Sequence, residues 1–332
     1  MSQAVEPQSP FVACDKEFEA VLGDAPRLVR VTCADAHEGP VYVPGEHALY
    51  FTTLPRDEAA ATGPRVDIKR LDLDVGSVSL VRPDANVANG MALDLEGRLV
   101  VCEQGNRSRP AAITRTDRAT GEVVERVTDS WSDQPLNSPN DVIVASDGSV
   151  WFTDPSYGWI QGYRPEPQHG DLVHRWDRLS GQVSAVADTL DKPNGLCLSP
   201  DESVLYVTDS GANQEAGSFY PQRPHHVVAF DVTGGGRLAG ERVFAEIAPG
   251  NPDGIKVDSD GRVYASSFSG VQVFHPAGRK LGEVKLPGAV NFCFGGPERT
   301  VLYITADEAL WAAHLAVAGP PLPKPEPPLK GA

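Results

Sequence analysis

A block of two short strands recurs six times along this chain, and each copy opens on a polar residue. The clearest copy runs Ser138-Pro139-Asn140-Asp141-Val142, turns at Asp147-Gly148, and ends Val150-Trp151-Phe152-Thr153-Asp154. The polar residues at the matching place are Glu38, Asn89, Asn140, Asn194, Asp253 and Asn291. They stand 51, 51, 54, 59 and 38 residues apart. A second pair of strand-like segments follows most copies, for example 67–71 with 78–81 and 112–116 with 122–127. Four strands in each repeat of about 40–50 residues is the pattern of a propeller blade. The expectation is an all-β, six-bladed β-propeller with four antiparallel strands per blade.

The sixth repeat supplies only three strands of its own, ending at Leu310–Leu315. Arg27–Thr32 is rich in β-branched residues and reads as the missing outer strand, closing the ring and leaving no open central edge. The domain reading is therefore an N-terminal arm over 1–26, a propeller over 27–318, and a flexible Pro-rich tail over 319–332. A helical reading fails, because no segment keeps apolar residues at i, i+3, i+4 and i+7 for three turns. The 32 glycines and 29 prolines fit many short strands joined by turns.

In a blade the innermost strand lines the central channel. The six polar residues begin the innermost strands, so all six are expected at one mouth of the channel. A lone Asn-Gly or Asn-Asp is ordinarily a turn residue, but six copies in phase argue against six unrelated turns. A ring that merely satisfies backbone groups is the other possibility. Against it stand Glu38 and Asp253, since carboxylates facing a channel are costly without a neutralising partner. Glu38, Asn140, Asn194 and Asp253 offer only oxygen donors. That set suits a hard divalent cation, Ca2+ first, with Mg2+, Mn2+ or Zn2+ as alternatives.

Two long loops return to the same mouth, Pro155–Asp171 with Tyr157, Trp159 and Tyr163, and Ser210–His225 with Phe219, Tyr220 and Arg223. They are expected to wall a pocket with aromatic rings. Asp154 and Asp209 read as caps of the following turns. The eight histidines show no metal-ligand spacing. Gly234-Gly235-Gly236 reads as a hairpin turn rather than a phosphate loop, and no Gly-x-Ser-x-Gly elbow is present.

The net charge of −16 disfavours nucleic-acid and anionic-membrane partners. The five cysteines lack a CxxC pattern and read as free thiols, Cys102, Cys197 and Cys293 as small core residues. Neither a signal-peptide pattern nor an apolar run of membrane-spanning length is legible, so a cytoplasmic location is expected, with no obligate protein partner.

Ser138-Pro139-Asn140-Asp141 with Trp151-Phe152-Thr153-Asp154-Pro155 resembles the gluconolactonase, senescence marker protein and luciferin-regenerating enzyme family. His37-Glu38-Gly39-Pro40-Val41, Pro193-Asn194-Gly195-Leu196 and Pro252-Asp253-Gly254-Ile255 follow in the family's order. Cys102-Glu103-Gln104-Gly105-Asn106-Arg107 resembles bacterial gluconolactonases. The resemblance spans roughly Arg27 to Leu315. It implies a six-bladed propeller with one divalent cation held by Glu38, Asn194 and Asp253, with Asn140 a fourth ligand or a substrate contact. Ser138 stands where animal members carry a substrate-contacting arginine, which leaves sugar-lactone specificity open; Arg107 is a candidate replacement.

The leading expectation is a metal-dependent hydrolase of a small cyclic ester. The cation polarises the carbonyl, Asp253 acts as base with Asn140 beside it, and Asn89, Arg107 and Tyr157 contact substrate. Two rivals remain at this level. The same site can serve phosphotriester cleavage or a biosynthetic cyclisation or dehydration, or the propeller can be a non-catalytic binding module.

Overall fold

The structure, a computed structural model, describes residues 9–57, 60–215 and 217–322. It is almost entirely antiparallel β, with a few short helical turns. The strands assemble as a β-propeller arrangement. Three four-stranded sheets come from consecutive segments: Ala88–Leu93 to Val123–Thr128, Val142–Val144 to Val183–Ala187, and Pro193–Leu198 to Arg237–Glu246. Each runs in chain order from its innermost strand outward, as a meander with short turns requires.

The ring's two ends depart from the six separate blades expected. Among the described residues there are five large sheets and a two-stranded ribbon at Ser130–Trp131 and Gln134–Pro135. The repeats expected first and last lie in one six-stranded sheet. The reason is a continuous strand, Arg27–Val43. Its first part pairs with the end of Val301–His314, in register Arg27 with His314 and Leu28 with Ala313. Its second part pairs with Ala48–Thr53. Register shifts between Arg30 and Thr32 and between Cys33 and Ala36 bend the strand from one partner to the other. The pairing expected of residues 27–32 is therefore present, but it fuses two repeats rather than completing a separate blade.

The N-terminal arm is partly docked. Phe11–Ala13 adds a fifth strand beside Lys280–Lys285. The short helix Phe18–Leu22 follows, with Phe18 and Val21 fully buried against Tyr264, Leu281 and Val284. The apolar spacing of Phe18, Val21 and Leu22 was too brief to read as a helix from the sequence. Residues 1–8 and 323–332 lie outside the described residues, as does most of the expected tail. Its beginning is held: the Gly319 amide donates to the Arg299 carbonyl at 3.0 Å. Pro320, Pro321 and Leu322 line a cavity of about 250 Å³ where the innermost strands end, beside Met91, Val144 and Cys197. All five cysteines are free, with Cys102, Cys197 and Cys293 buried. Among the described residues no helix is long and apolar enough to cross a membrane.

Neighbouring sheets touch most closely where the polar residues begin the innermost strands. Gly195 and Gly254 are there because nothing larger fits. A Cβ on Gly195 would sit 2.4 Å from the Asp253 carbonyl oxygen, and one on Gly254 would sit 2.5 Å from Asn291 Oδ1. Asn194-Gly195 is thus a strand segment pressed against the next repeat, not a turn. Gly195→Ala is expected to destabilise the protein by about 1–3 kcal/mol, measured by chemical unfolding with the slope unchanged.

The outer hairpins are capped by aspartates. Asp177 accepts from the Ser180 amide and hydroxyl, each at 2.9 Å, and from Arg175 at 2.9 Å. These bonds hold its carboxyl at about 2. The folded value lies below the unfolded one of about 3.9. Its stabilisation is therefore present above the unfolded value and is lost as pH falls through the folded value. Asp177→Ala is expected to lower the melting temperature at neutral pH and to have little effect near pH 2, read by thermal scans at both values.

Candidate functional site

Five of the six polar positions meet in one cavity of about 230 Å³, lined among others by Glu38, Asn89, Asn140, Asn194 and Asp253. What sets each of them is the strand beside it. Thr52 donates to the Asn89 carbonyl at 3.1 Å, Thr153 to the Asn194 carbonyl at 2.7 Å, and Thr208 to the Asp253 carbonyl at 2.8 Å. In each case the hydroxyl comes from the second strand of one repeat and the carbonyl from the next. Between the second and third repeats the link is direct: the Gly90 amide and the Asn89 side-chain amide both donate to the Asn140 carbonyl, at 2.8 and 3.0 Å. The backbone is thereby pinned, and the polar side chains project into the mouth.

The sixth position plays a different part. Asn291 is buried, and its amide donates to Glu38 Oε2 at 2.8 Å. The Gly39 amide donates to the same oxygen at 2.9 Å. Asn291 fixes the Glu38 carboxylate rather than lining the cavity.

Asp141 and Lys256 belong to this centre and were not singled out in the sequence. Asp141 is buried, and its Oδ2 lies 3.8 Å from Lys256 Nζ, which also reaches Asn291 Oδ1 at 3.4 Å. Three carboxyl groups, Glu38, Asp141 and Asp253, thus crowd one buried centre, with the Lys256 ammonium beside Asp141. Burial, and then the charges of Asp253 and Asp141, push the Glu38 carboxyl well above its ordinary value. Burial likewise raises Asp253. At the cavity's edge His37 bonds Asp307 at 2.7 Å. Burial disfavours its imidazolium, but the Asp307 bond and the Glu38 and Asp253 charges prevail and raise it.

These residues fit a hard divalent cation. Asn140 Oδ1 is buried with no hydrogen-bond partner, which is costly for an acceptor unless something else binds it. The donors are all oxygen, as Ca2+ prefers.

The long loops do come to the mouth. Tyr157, Ile160, Gln161 and Tyr163 line the cavity from one, and Asn213, Gln214 and Glu215 from the other. Tyr157 is buried, which pushes its phenol up, and the Tyr163 hydroxyl donates to Gln104 at 2.5 Å. The second loop's aromatics are elsewhere. Phe219 packs on Phe268 at 5.5 Å between centroids, and the Tyr220 hydroxyl caps Glu215 at 2.5 Å. The wall is richer in amides than in rings, which the sequence does not reveal because amide-bearing residues in irregular loops carry no periodic signal.

Arg107 is not in the cavity. Its guanidinium donates to the Ala60 and Gly162 carbonyls, each at 2.8 Å. It clasps two loops and does not replace a substrate-contacting arginine. Asp154 and Asp209 differ from the expected caps of the following turns: Asp154 accepts the preceding Asn137 and Ser138 amides and Asp209 the preceding Asp191 and Lys192 amides, all at 2.9 Å, and only Asp209 also accepts a following amide, that of Gly211 at 3.0 Å. Each holds the segment leading into the following polar residue. The capping reading missed that Asp154 also lies against His169 and His174, with ligand atoms within 4.8 Å of one another.

The site is an oxygen-lined cavity at the mouth of a β-propeller. Residues 36–308 match the SMP-30/Gluconolactonase/LRE-like region, and the chain belongs to that family. It is 28% identical over 316 residues to a gluconolactonase of Zymomonas mobilis, covering 87% of this chain and 81% of that one. It is 29% identical to the lactonohydrolase oryL of Aspergillus oryzae, covering 86% and 69%. Among solved structures, a gluconolactonase from Xanthomonas campestris superposes with a TM-score of 0.77 at 33% identity, covering 92% of this chain and 95% of that one. A calcium-binding regucalcin from Agrobacterium tumefaciens shares the fold, with a TM-score of 0.68 at 17% identity.

Arg107→Ala is expected to speed amide hydrogen exchange in 157–164 by roughly 10-fold, as loss of about 1.4 kcal/mol of local stability would. Exchange mass spectrometry reads this directly.

Proposed function

We propose that this protein hydrolyses a small lactone in the cavity where its repeats converge. The observation that carries this is the meeting of Glu38, Asn140, Asn194 and Asp253 on one small, amide-walled cavity. Lactone hydrolysis by the Zymomonas and Aspergillus relatives, as their names state, supports the same reading. In it the six-stranded sheet is two four-stranded units, with Arg27–Val43 divided between them and Val301–His314 supplying two strands of one, so that six repeats each give one polar residue.

Glu38, Asn140, Asn194 and Asp253 would hold one divalent cation, Ca2+ by preference. When bound, such an ion supplies a positive centre that stabilises negative charge developing on the lactone carbonyl oxygen. Asp253 takes a proton from the attacking water, and that proton goes on to the ring oxygen as the acyl–oxygen bond breaks. The products are a hydroxyl and a carboxylic acid. Asn140 and Asn89 orient the ester. Tyr157, held uncharged by burial, and Gln104, Gln161, Asn213 and Gln214 face the rest of the ring. A wall of amides donates and accepts in equal measure, which suits a lactone bearing hydroxyls over an apolar one. Asn291 and Lys256 act from behind, one orienting Glu38 and the other balancing Asp141.

Asp253→Asn and Glu38→Gln are expected to fold and to lose at least about 10²-fold in kcat/KM on a hydroxylated lactone. Chelation is expected to abolish turnover and Ca2+ to restore it. Elemental analysis with a lactone panel checks both. Full activity of Asp253→Asn removes it as the base; a bound ion without lactone turnover moves the search to other esters.

A further inference from the structure

Outside the cavity, Asp154, His169 and His174 form a second constellation. Asp154 and His174 are fully buried, and the His169 side chain is 5% exposed. His169 Nε2 lies 3.7 Å from Asp154 Oδ2, and His174 Nε2 lies 3.8 Å from the same oxygen. Neither distance is a hydrogen bond, and both Nε2 atoms are buried without a hydrogen-bond partner. The His169 tautomer is set by its other nitrogen: Nδ1 sits 2.8 Å from the Gly170 carbonyl, which can only accept. In the neutral imidazole Nε2 of His169 therefore presents a lone pair toward the carboxyl group of Asp154. The carboxyl group and this ring nitrogen face each other with a second imidazole beside them, and the charges of Arg164 and Asp171 act on Asp154 from further off.

We propose that Asp154, His169 and His174 bind a divalent transition ion of the Zn2+ class, separate from the hard cation of the channel. Two imidazoles and one carboxylate are a borderline donor set that selects such an ion over Ca2+. Ligand atoms 2.0–2.2 Å from one tetrahedral ion sit roughly 3.3–3.6 Å apart, and the measured separations of 3.7 and 3.8 Å are a few tenths of an ångström wider, within reach of a small side-chain shift. The Nδ1–H to carbonyl bond of His169 is the outer support that metal-ligating histidines ordinarily have. Trp131 packs against both imidazoles, 5.6 and 5.5 Å between centroids, and Phe152 against His174 at 5.1 Å. This apolar collar strengthens a charged centre within it. A surface groove lined by Trp131, His169, Asp171, Asp188, Asp191 and Lys192 reaches His169.

The ion's place in the fold gives it a task. Asp154 holds the amides of Asn137 and Ser138, just before Asn140. His174 is in the strand Leu172–Trp176. His169 ends the loop that brings Tyr157, Ile160, Gln161 and Tyr163 to the channel cavity. One ion would staple that loop to the strand and to the approach of Asn140.

The test strips the full-length protein with chelator, adds Zn2+ or Co2+, and removes free ion by gel filtration. Wild type and Glu38→Gln are expected to retain Zn2+ that His169→Asn lacks, a difference of roughly one equivalent per chain. Co2+ should give a visible absorption band in the first two and none in the third. Zn2+ should slow hydrogen exchange across 157–169 in Glu38→Gln, where the channel ion is weakened. Because His174 is a core position, the variant used is the loop residue His169. The Co2+-loaded wild type gives a check without mutation, a paramagnetically shifted N–H signal from His169. Retention of no Zn2+ by Glu38→Gln, or an unchanged Co2+ band in His169→Asn, overturns the proposal. Either result leaves the lactonase reading standing, since that reading is tested by Ca2+ and Asp253.

Discussion

The structure depends on hydroxyl groups that reach from one repeat to the backbone of the next. Thr52, Thr153 and Thr208 each occupy the second strand of a repeat, yet each donates to the carbonyl of the polar residue that opens the following innermost strand. Such a bond is worth about 1 kcal/mol alone. Its larger effect is geometric, because it recurs at three junctions between repeats, and at each neither member can shift without its neighbour. The glycines after the polar residues follow from the same closeness, since Gly195 and Gly254 sit where a methyl group would overlap the adjacent repeat. The site is thus an outcome of how sheets are joined, not a loop added to a finished scaffold.

Pinning the backbone this way forces like charges together. Glu38, Asp141 and Asp253 share a buried centre with Lys256 as the near cation. Asn291 and Gly39 hold Glu38 by the same oxygen, so the carboxylate cannot turn away to relieve the repulsion. A fold ordinarily disposes of such a centre by substitution with neutral residues. Keeping it makes sense where an ion of opposite charge joins it, which is the basis of the proposed chemistry. The orphaned Asn140 Oδ1 makes the same demand through a neutral group.

The long loop at 155–171 connects the two constellations. Its early residues wall the channel cavity and its last histidine lies against Asp154. The Arg107 clasp and the Tyr163–Gln104 bond hold it from the channel side. A loop with so many anchors is a rigid wall, which suits recognition of a small ring better than a closing lid would.

How much was legible in the chain follows from what repeats and what does not. Six polar residues in phase, each before a short apolar strand, were enough to place Glu38, Asn89, Asn140, Asn194 and Asp253 at one mouth, because strand direction and meander order carry that information locally. Membership of the family rested on the same phased motifs. The joining of two repeats through Arg27–Val43 was not legible, since a strand's passage from one partner to another depends on register shifts set by contacts far away in sequence. Nor was the part played by Arg107, whose acceptors are backbone carbonyls 47 and 55 residues away, or the meeting of Asp154, His169 and His174, whose spacing matches no metal motif. The repeat and the chemistry of its leading residues are written locally in the chain. Which irregular-loop side chains reach the mouth, and where buried charges lack a partner, follow from packing between segments that share no local pattern.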